Sequence, residues 1–328
     1  MPYRCSIYGL GVVANRTIPG VPSSTIASED VRISFGSLPA WLHEETQSET
    51  SYVAEYKSEC GEPALRVFRL AEGRYYRFSY ADRTEFVVDH AGTEVWAEWC
   101  APLTLEDTAT YLLGPVMGFV MLLRGVVCLH ASAVAIGDEA IGLVGPAGSG
   151  KSTTAAAFSD RGYRVLAEDV LTLDDRHDHF MVRPGYPCIR LWPAAVKTLY
   201  ESETHLPKLT PNWDKCYLDL GGQFQGKPLA LAAIYQLGER RHDAGAPFVE
   251  TLDRAEGLMS LIANTYATKL MDKQMRAREF ELLTRVVNHV PIQRVTPHAD
   301  VKRIPELCDR ILDDFSHRFT RISYTDSV

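Results

Sequence analysis

The stretch Ala140-Ile-Gly-Leu-Val-Gly-Pro-Ala-Gly-Ser-Gly-Lys-Ser-Thr-Thr-Ala-Ala-Ala-Phe-Ser-Asp160 decides the fold. Its apolar opening, Ala140 to Val144, reads as a buried strand. Gly145 to Ser152 then fits G-x-x-x-x-G-K-[ST] at every required position. The remainder reads as a helix that begins at about Ser152 and stops at Gly162. Each loop position has a physical task. Gly145, Gly148 and Gly150 permit backbone angles that a Cβ would forbid. The N–H groups around Ala147 and Ser149 can then turn inward on phosphate oxygens. The helix start, through Ser152 and Thr153, adds its positive end. Lys151 brings a mobile charge to the β and γ phosphates, and the Ser152 hydroxyl is a candidate Mg²⁺ ligand.

Upstream, Val126 to Ile136 reads as a second strand, joined to the first by the turn Gly137-Asp138. It carries His130. A single histidine in an apolar strand is either a satisfied core residue or an acid–base partner, and both readings stay open. Downstream, the strand Tyr163 to Ala167 ends in Glu168-Asp169. Strands of a parallel sheet present their C-terminal ends to bound phosphates. The pair is therefore expected to hold a metal or to act on an acceptor hydroxyl, with the base role open between Glu168 and Asp169. Arg183, Arg190 and Lys215 are candidate neutralisers of phosphate charge, while Arg240-Arg241 reads as a solvated strand end.

The 328 residues suffice for two domains. Residues 1–105 read as a small β-rich domain. Runs such as RYYRFSY, TEFVVDH and TEVWAEW are split by the turns Ala81-Asp82-Arg83 and Ala91-Gly92, with an earlier strand at Val31 to Phe35. The Glu, Thr and Ser-rich segment 44–51 reads as an exposed loop. Residues 106–328 read as an α/β P-loop domain. Thr104 with Asp107 is expected to cap a buried helix through Leu123, bent at Gly114-Pro115. Asp253 with Glu256 is expected to cap another, followed by a helix near 275–289, a strand at Ile292 to Val295 and a last helix from Pro305. A formal net charge of −8 argues against a nucleic-acid partner. Seven scattered cysteines without a CxxC pair suit reduced thiols in the cytoplasm rather than a disulfide framework or zinc site. The most apolar stretch, Tyr111 to Leu123, is shorter than the ~20 residues that span a bilayer, so no membrane association is expected.

The ordered set of His130 in LHASAVAI, the loop GPAGSGKST and RGYRVLAEDV from Arg161 to Val170 resembles the HPr kinase/phosphorylase family. The resemblance implies ATP (with GTP as an alternative) and Mg²⁺, an acceptor serine on a peptide or small protein, an aspartate base and a supporting histidine. His130 matches the family histidine, Lys151 and Ser152 the loop residues, Glu168 and Asp169 the paired aspartates. The related bifunctional enzymes are hexamers, which raises a homo-oligomer as an expectation. VRPGYPCIRLWP, the Lys215 region and the β-rich first part look like the branch of kinases that phosphorylate the C-terminal serine of lasso-peptide precursors. Three departures stand out. Glu168 replaces an aspartate, Thr153 stands where the bifunctional enzymes often have glutamate, and no EIRG-type signature is found, which argues against a reverse phosphorylase activity. Two other readings of the residues are a small-metabolite kinase and a nucleotide-dependent regulatory or scaffold protein.

Overall fold

A computed structural model describes residues 1–44, 48–200, 206–243 and 245–325, with side chains to 318. It is a mixed α/β protein divided into two compact units. The first comprises Met1–Cys128 together with Lys208–Asp214 and Tyr266–Arg278; the second holds the rest.

An eight-stranded sheet dominates the first unit. Its order is Tyr3–Ile7, Leu10–Ala14, Val31–Phe35, Glu94–Glu98, Glu85–Asp89, Tyr75–Tyr80, Leu65–Leu70 and Ser48–Val53. Strand alternation puts one buried row straight across it, because Val67 pairs with Phe78, Phe78 with Phe86, Phe86 with Ala97, and Ala97 with Phe35. The segment expected as a loop at 44–51 differs in part. Residues 45–47 lie outside the described residues, and Ser48–Val53 is an edge strand whose mostly exposed side chains leave no alternating pattern to read.

The compact first unit extends past the expected boundary at 105. The reason is packing: Phe119 sets its ring edge-on to Tyr76 and Phe78, at 4.9 and 5.2 Å, and the Tyr8 hydroxyl donates to the Leu113 carbonyl. The expected cap on this helix is present as a reciprocal box between Thr104 and Asp107. Gly114-Pro115 falls in a single π-helical turn, Leu112–Val116, between Leu105–Tyr111 and Met117–Leu123.

The strand expected at 126–136 is broken, and the second unit begins within it, at Leu129. Val127–Leu129 and Ala131–Ile136 are separate, and His130 occupies the bend between them. Ala131–Ile136 lies antiparallel to both Glu139–Val144 and Val165–Ala167, which thus run in one direction on either side of it. Leu229–Leu237 lies parallel to Glu139–Val144, and Ile292–Thr296 parallel to Leu229–Leu237. The sheet is mixed rather than all parallel. Its consequence is geometric: one edge collects the ends of Glu139–Val144, Val165–Ala167, Leu229–Leu237 and Ile292–Thr296 with the beginning of Ala131–Ile136. Helix Lys151–Asp160 lies over the sheet, burying Ala155 and Phe158 in a cluster with Val134, Leu143 and, from the C-terminal helix Ile304–Thr325, Leu307 and Ile311. Helix Arg254–Ala263 carries the expected capping box of Asp253 and Glu256.

Candidate active site

The glycine loop follows Val144 directly. Gly145 has a φ of 150°, and a Cβ there would stand 2.9 Å from the Leu237 carbonyl oxygen. Only glycine lets the chain turn that close to its neighbouring strand. Gly150, at φ 103°, is the N-cap of helix Lys151–Asp160. The first N–H groups of that helix have no intrahelical acceptor and face the loop. Lys151, 7% exposed, donates from Nζ to the carbonyls of Gly145 and Pro146 at 2.7 and 3.1 Å. Burial lowers its pKa, while Asp169 and Glu168 pull it back upward. The Ser149 hydroxyl is buried without a hydrogen-bond partner, an acceptor-hungry donor inside the loop.

The acidic pair sits at the shared sheet edge. The Ser152 hydroxyl donates to Glu168 Oε1 at 2.8 Å, so loop serine and first acid stand side by side. Asp169 takes a left-handed φ of 67°. Asp tolerates that region better than most residues, and such backbone gathers at functional sites. The turn brings Asp169 Oδ1 to 3.2 Å from His130 Nε2 and Oδ2 to 2.7 Å from an Arg190 terminal nitrogen. Arg190 Nε also lies 3.3 Å from Glu168 Oε2, and Arg190 is 7% exposed. Burial opposes charge on Asp169. The Arg190 guanidinium, the His130 hydrogen bond, and the charges of His130 and Lys215 outweigh it and hold the carboxyl well below the usual range.

A cavity of about 500 Å³ joins these parts. Ala147, Gly148, Gly150, Lys151, Ser152 and Thr153 form its floor; His130, Glu168, Asp169, Arg190 and Lys215 form its walls. Lys215 Nζ lies 5.1 Å from the ring centre of Trp192, an exposed indole on the same wall. Gly145 and Ser149 do not line the cavity, and Ser149 lines another cavity on the far side of the loop. Arg183 is elsewhere: it pairs with Asp174 at 3.1 Å across the hairpin of Leu171–Asp175 and Phe180–Val182, and it does not line the cavity.

Two participants escaped the sequence reading. Arg240, taken for a solvated strand end, lines this cavity and a second one beyond the loop, and burial lowers its pKa. Its signal was its place just after the apolar strand Leu229–Leu237, which runs parallel to the loop's own strand. Asn264 caps the end of helix Arg254–Ala263. Its side-chain oxygen accepts from Gly145 N at 3.0 Å and its carbonyl from His130 N at 2.7 Å, so one residue fixes both loop and histidine. No local pattern announces that role.

Among the described residues no group of three or more His, Cys, Asp or Glu side chains is arranged to hold a metal, and no helix is long and apolar enough to cross a membrane. No protein-family description matches the chain, and no curated protein does. Among solved structures, the Hpr(Ser) kinase/phosphatase from Coxiella burnetii is similar over 61% of this chain and 95% of that chain, at 13% identity and a TM-score of 0.35.

Proposed function

We propose that the protein is a phosphotransferase that moves the terminal phosphate of ATP to a hydroxyl. One observation carries this reading: a glycine loop with its lysine faces two acids and a histidine across a single cavity, with Ser152 bonded to Glu168 and His130 to Asp169. Phosphoryl transfer asks for charge neutralisation and alignment more than for covalent chemistry, and these groups supply both.

The triphosphate lies over the loop amides, where Lys151 exchanges its loop carbonyls for phosphate oxygens. Ser152 and Glu168 suit Mg²⁺, which is held by few protein oxygens and completed by phosphate and water; bound there, it neutralises phosphate charge. Asp169 orients the acceptor hydroxyl and takes its proton as the oxygen bonds to the γ-phosphorus and the bond to the leaving diphosphate breaks. His130 holds Asp169 in line. This division assigns the metal to Glu168 and the base to Asp169. GTP is the alternative donor.

The acceptor we favour is a serine on a peptide or small protein, with the C-terminal serine of a lasso-peptide precursor as the specific candidate suggested by the sequence resemblance. Support comes from the cavity's extent. It shares Ala194, Thr198, Val301 and Ile304 with a second cavity of about 1130 Å³, more room than a small metabolite uses. The test is incubation with Mg-ATP and serine peptides, read by mass spectrometry. Lys151→Ala is expected to abolish transfer and weaken nucleotide binding. Asp169→Asn is expected to slow transfer by ~10²–10⁴-fold while sparing nucleotide binding. Equal phosphopeptide yield from Asp169→Asn and wild type would refute the assignment.

A further inference from the structure

The large cavity that continues the catalytic one runs along helix Pro193–Tyr200 and the turn Val301–Arg303, which opens helix Ile304–Thr325. We infer that it is a docking groove for an acidic peptide, one that carries apolar residues beside the acceptor serine and carboxylates beyond them; the inference rests on the peptide-kinase reading above.

Continuity makes the first argument. Ala194, Thr198, Val301 and Ile304 line both this groove and the cavity that holds Asp169, so a chain whose serine reaches Asp169 has the groove as its way out. The floor is apolar, built from Ala157, Leu199, Ile304 and Pro305. Among the described residues of the second unit, the exposed large apolar side chains are Trp192, Met259, Phe280 and Val301. Trp192 and Val301 both stand at the catalytic cavity, and Val301 reaches into the groove as well. Apolar surface held in water beside a reacting centre gains by covering itself with a partner's side chain.

Charge makes the second argument and names the partner. Both acids of the groove are engaged by its own groups. Asp309 pairs with Arg161, and Asp160 accepts from the Tyr200 hydroxyl at 3.1 Å. Arg161 is occupied in turn, since it also donates to the Pro305 carbonyl at 2.8 Å. Lys197 and Lys302 are left: both are exposed, and among the described residues neither enters an ion pair. On a chain of formal net charge −8, a groove whose two uncommitted charges are positive is a local exception. Lysine stems lie along an apolar floor while their ammonium groups face an incoming carboxylate. A basic peptide would meet like charges instead. Complementarity of this kind sets specificity and encounter rate more than raw affinity.

The experiment gives the full-length protein Mg-ATP and three serine peptides of one length, with free serine as a fourth acceptor. Each peptide has leucines on both sides of the serine, and outer positions that are all glutamate, all glutamine or all lysine. Transfer is followed by mass spectrometry. The glutamate peptide is expected to exceed the lysine peptide roughly tenfold in kcat/KM, with the glutamine peptide between them and the advantage falling as salt rises. Exchanging the leucines of the glutamate peptide for asparagine is expected to lower kcat/KM by roughly tenfold. The double variant Lys197→Glu/Lys302→Glu, changed only at exposed positions, is expected to reverse the order of the peptides while calorimetry shows the wild-type affinity for Mg-ATP. Equal kcat/KM for the three peptides overturns the groove and leaves the kinase reading intact, as does a preference that the double variant retains. Transfer to none of the peptides overturns the groove and the peptide acceptor together, and transfer to free serine then decides whether the phosphotransferase reading stands.

Discussion

Arg190 holds two carboxylates at once, and that arrangement defines the site at the scale of the residue. A buried guanidinium between Glu168 and Asp169 cancels a repulsion that would otherwise push one acid to protonate. Removing one partner of a buried ionic set is costly because the others stay charged and desolvated. Arg190→Gln is therefore expected to destabilise the protein by about 3–5 kcal/mol at neutral pH, measured by urea unfolding. The sign with pH follows from Asp169, whose carboxyl is held low in the folded state. Such a group contributes stability above its unfolded pKa of about 3.9 and loses it as pH falls through the folded value. The penalty of Arg190→Gln should accordingly hold from pH 7 to about pH 4 and shrink only as the medium is acidified below that. A penalty that stays constant from about pH 4 to about pH 2 would mean that Arg190 acts through packing alone.

Elements show which parts of the fold are written locally. The glycine loop, the boxes at Thr104 with Asp107 and Asp253 with Glu256, and the stop after Asp160 were all legible, because each is set by residues within one turn of each other. Strand pairing is not. That Ala131–Ile136 runs against both neighbours, so that its beginning joins their ends, depends on contacts far apart in the chain. His130 was visible but read as mid-strand, since nothing in LHASAV marks the bend. Arg190 was a candidate cation with no visible partner, and Asn264 had no signal at all. Gly145 joins the two levels, because its conformation is local and its tight neighbour, the Leu237 carbonyl, is distant. Gly145→Ala is expected to force loop and strand apart, an overpacking cost of about 1–3 kcal/mol. Mg-ATP titration should show weakened binding; unchanged affinity would mean the loop tolerates the shift.

Across the whole molecule the chain order and the compact units do not coincide. The first unit is completed by Lys208–Asp214 and Tyr266–Arg278, drawn from far downstream. Asp107 shows what this return supplies. It is fully buried, and Asn212 donates to it at 2.7 Å. Burial raises its pKa, but hydrogen bonds from Thr210, Asn212 and Thr104 prevail and keep it low. Asn212→Ala should cost about 1–3 kcal/mol at neutral pH, with the loss fading as pH falls below the unfolded carboxylate pKa. Thermal melts at about pH 7 and about pH 2 test this, and equal shifts at both would count against it. The mixed sheet has a practical corollary at its opposite margin. The chain reverses there at Gly137-Asp138, between paired Ile136 and Glu139, and open space surrounds the position where a glycine side chain would be. A short epitope or fluorophore grafted into that reversal sits a full strand length from every group that handles phosphate, which makes it a natural attachment point for reporting on the protein without disturbing its chemistry.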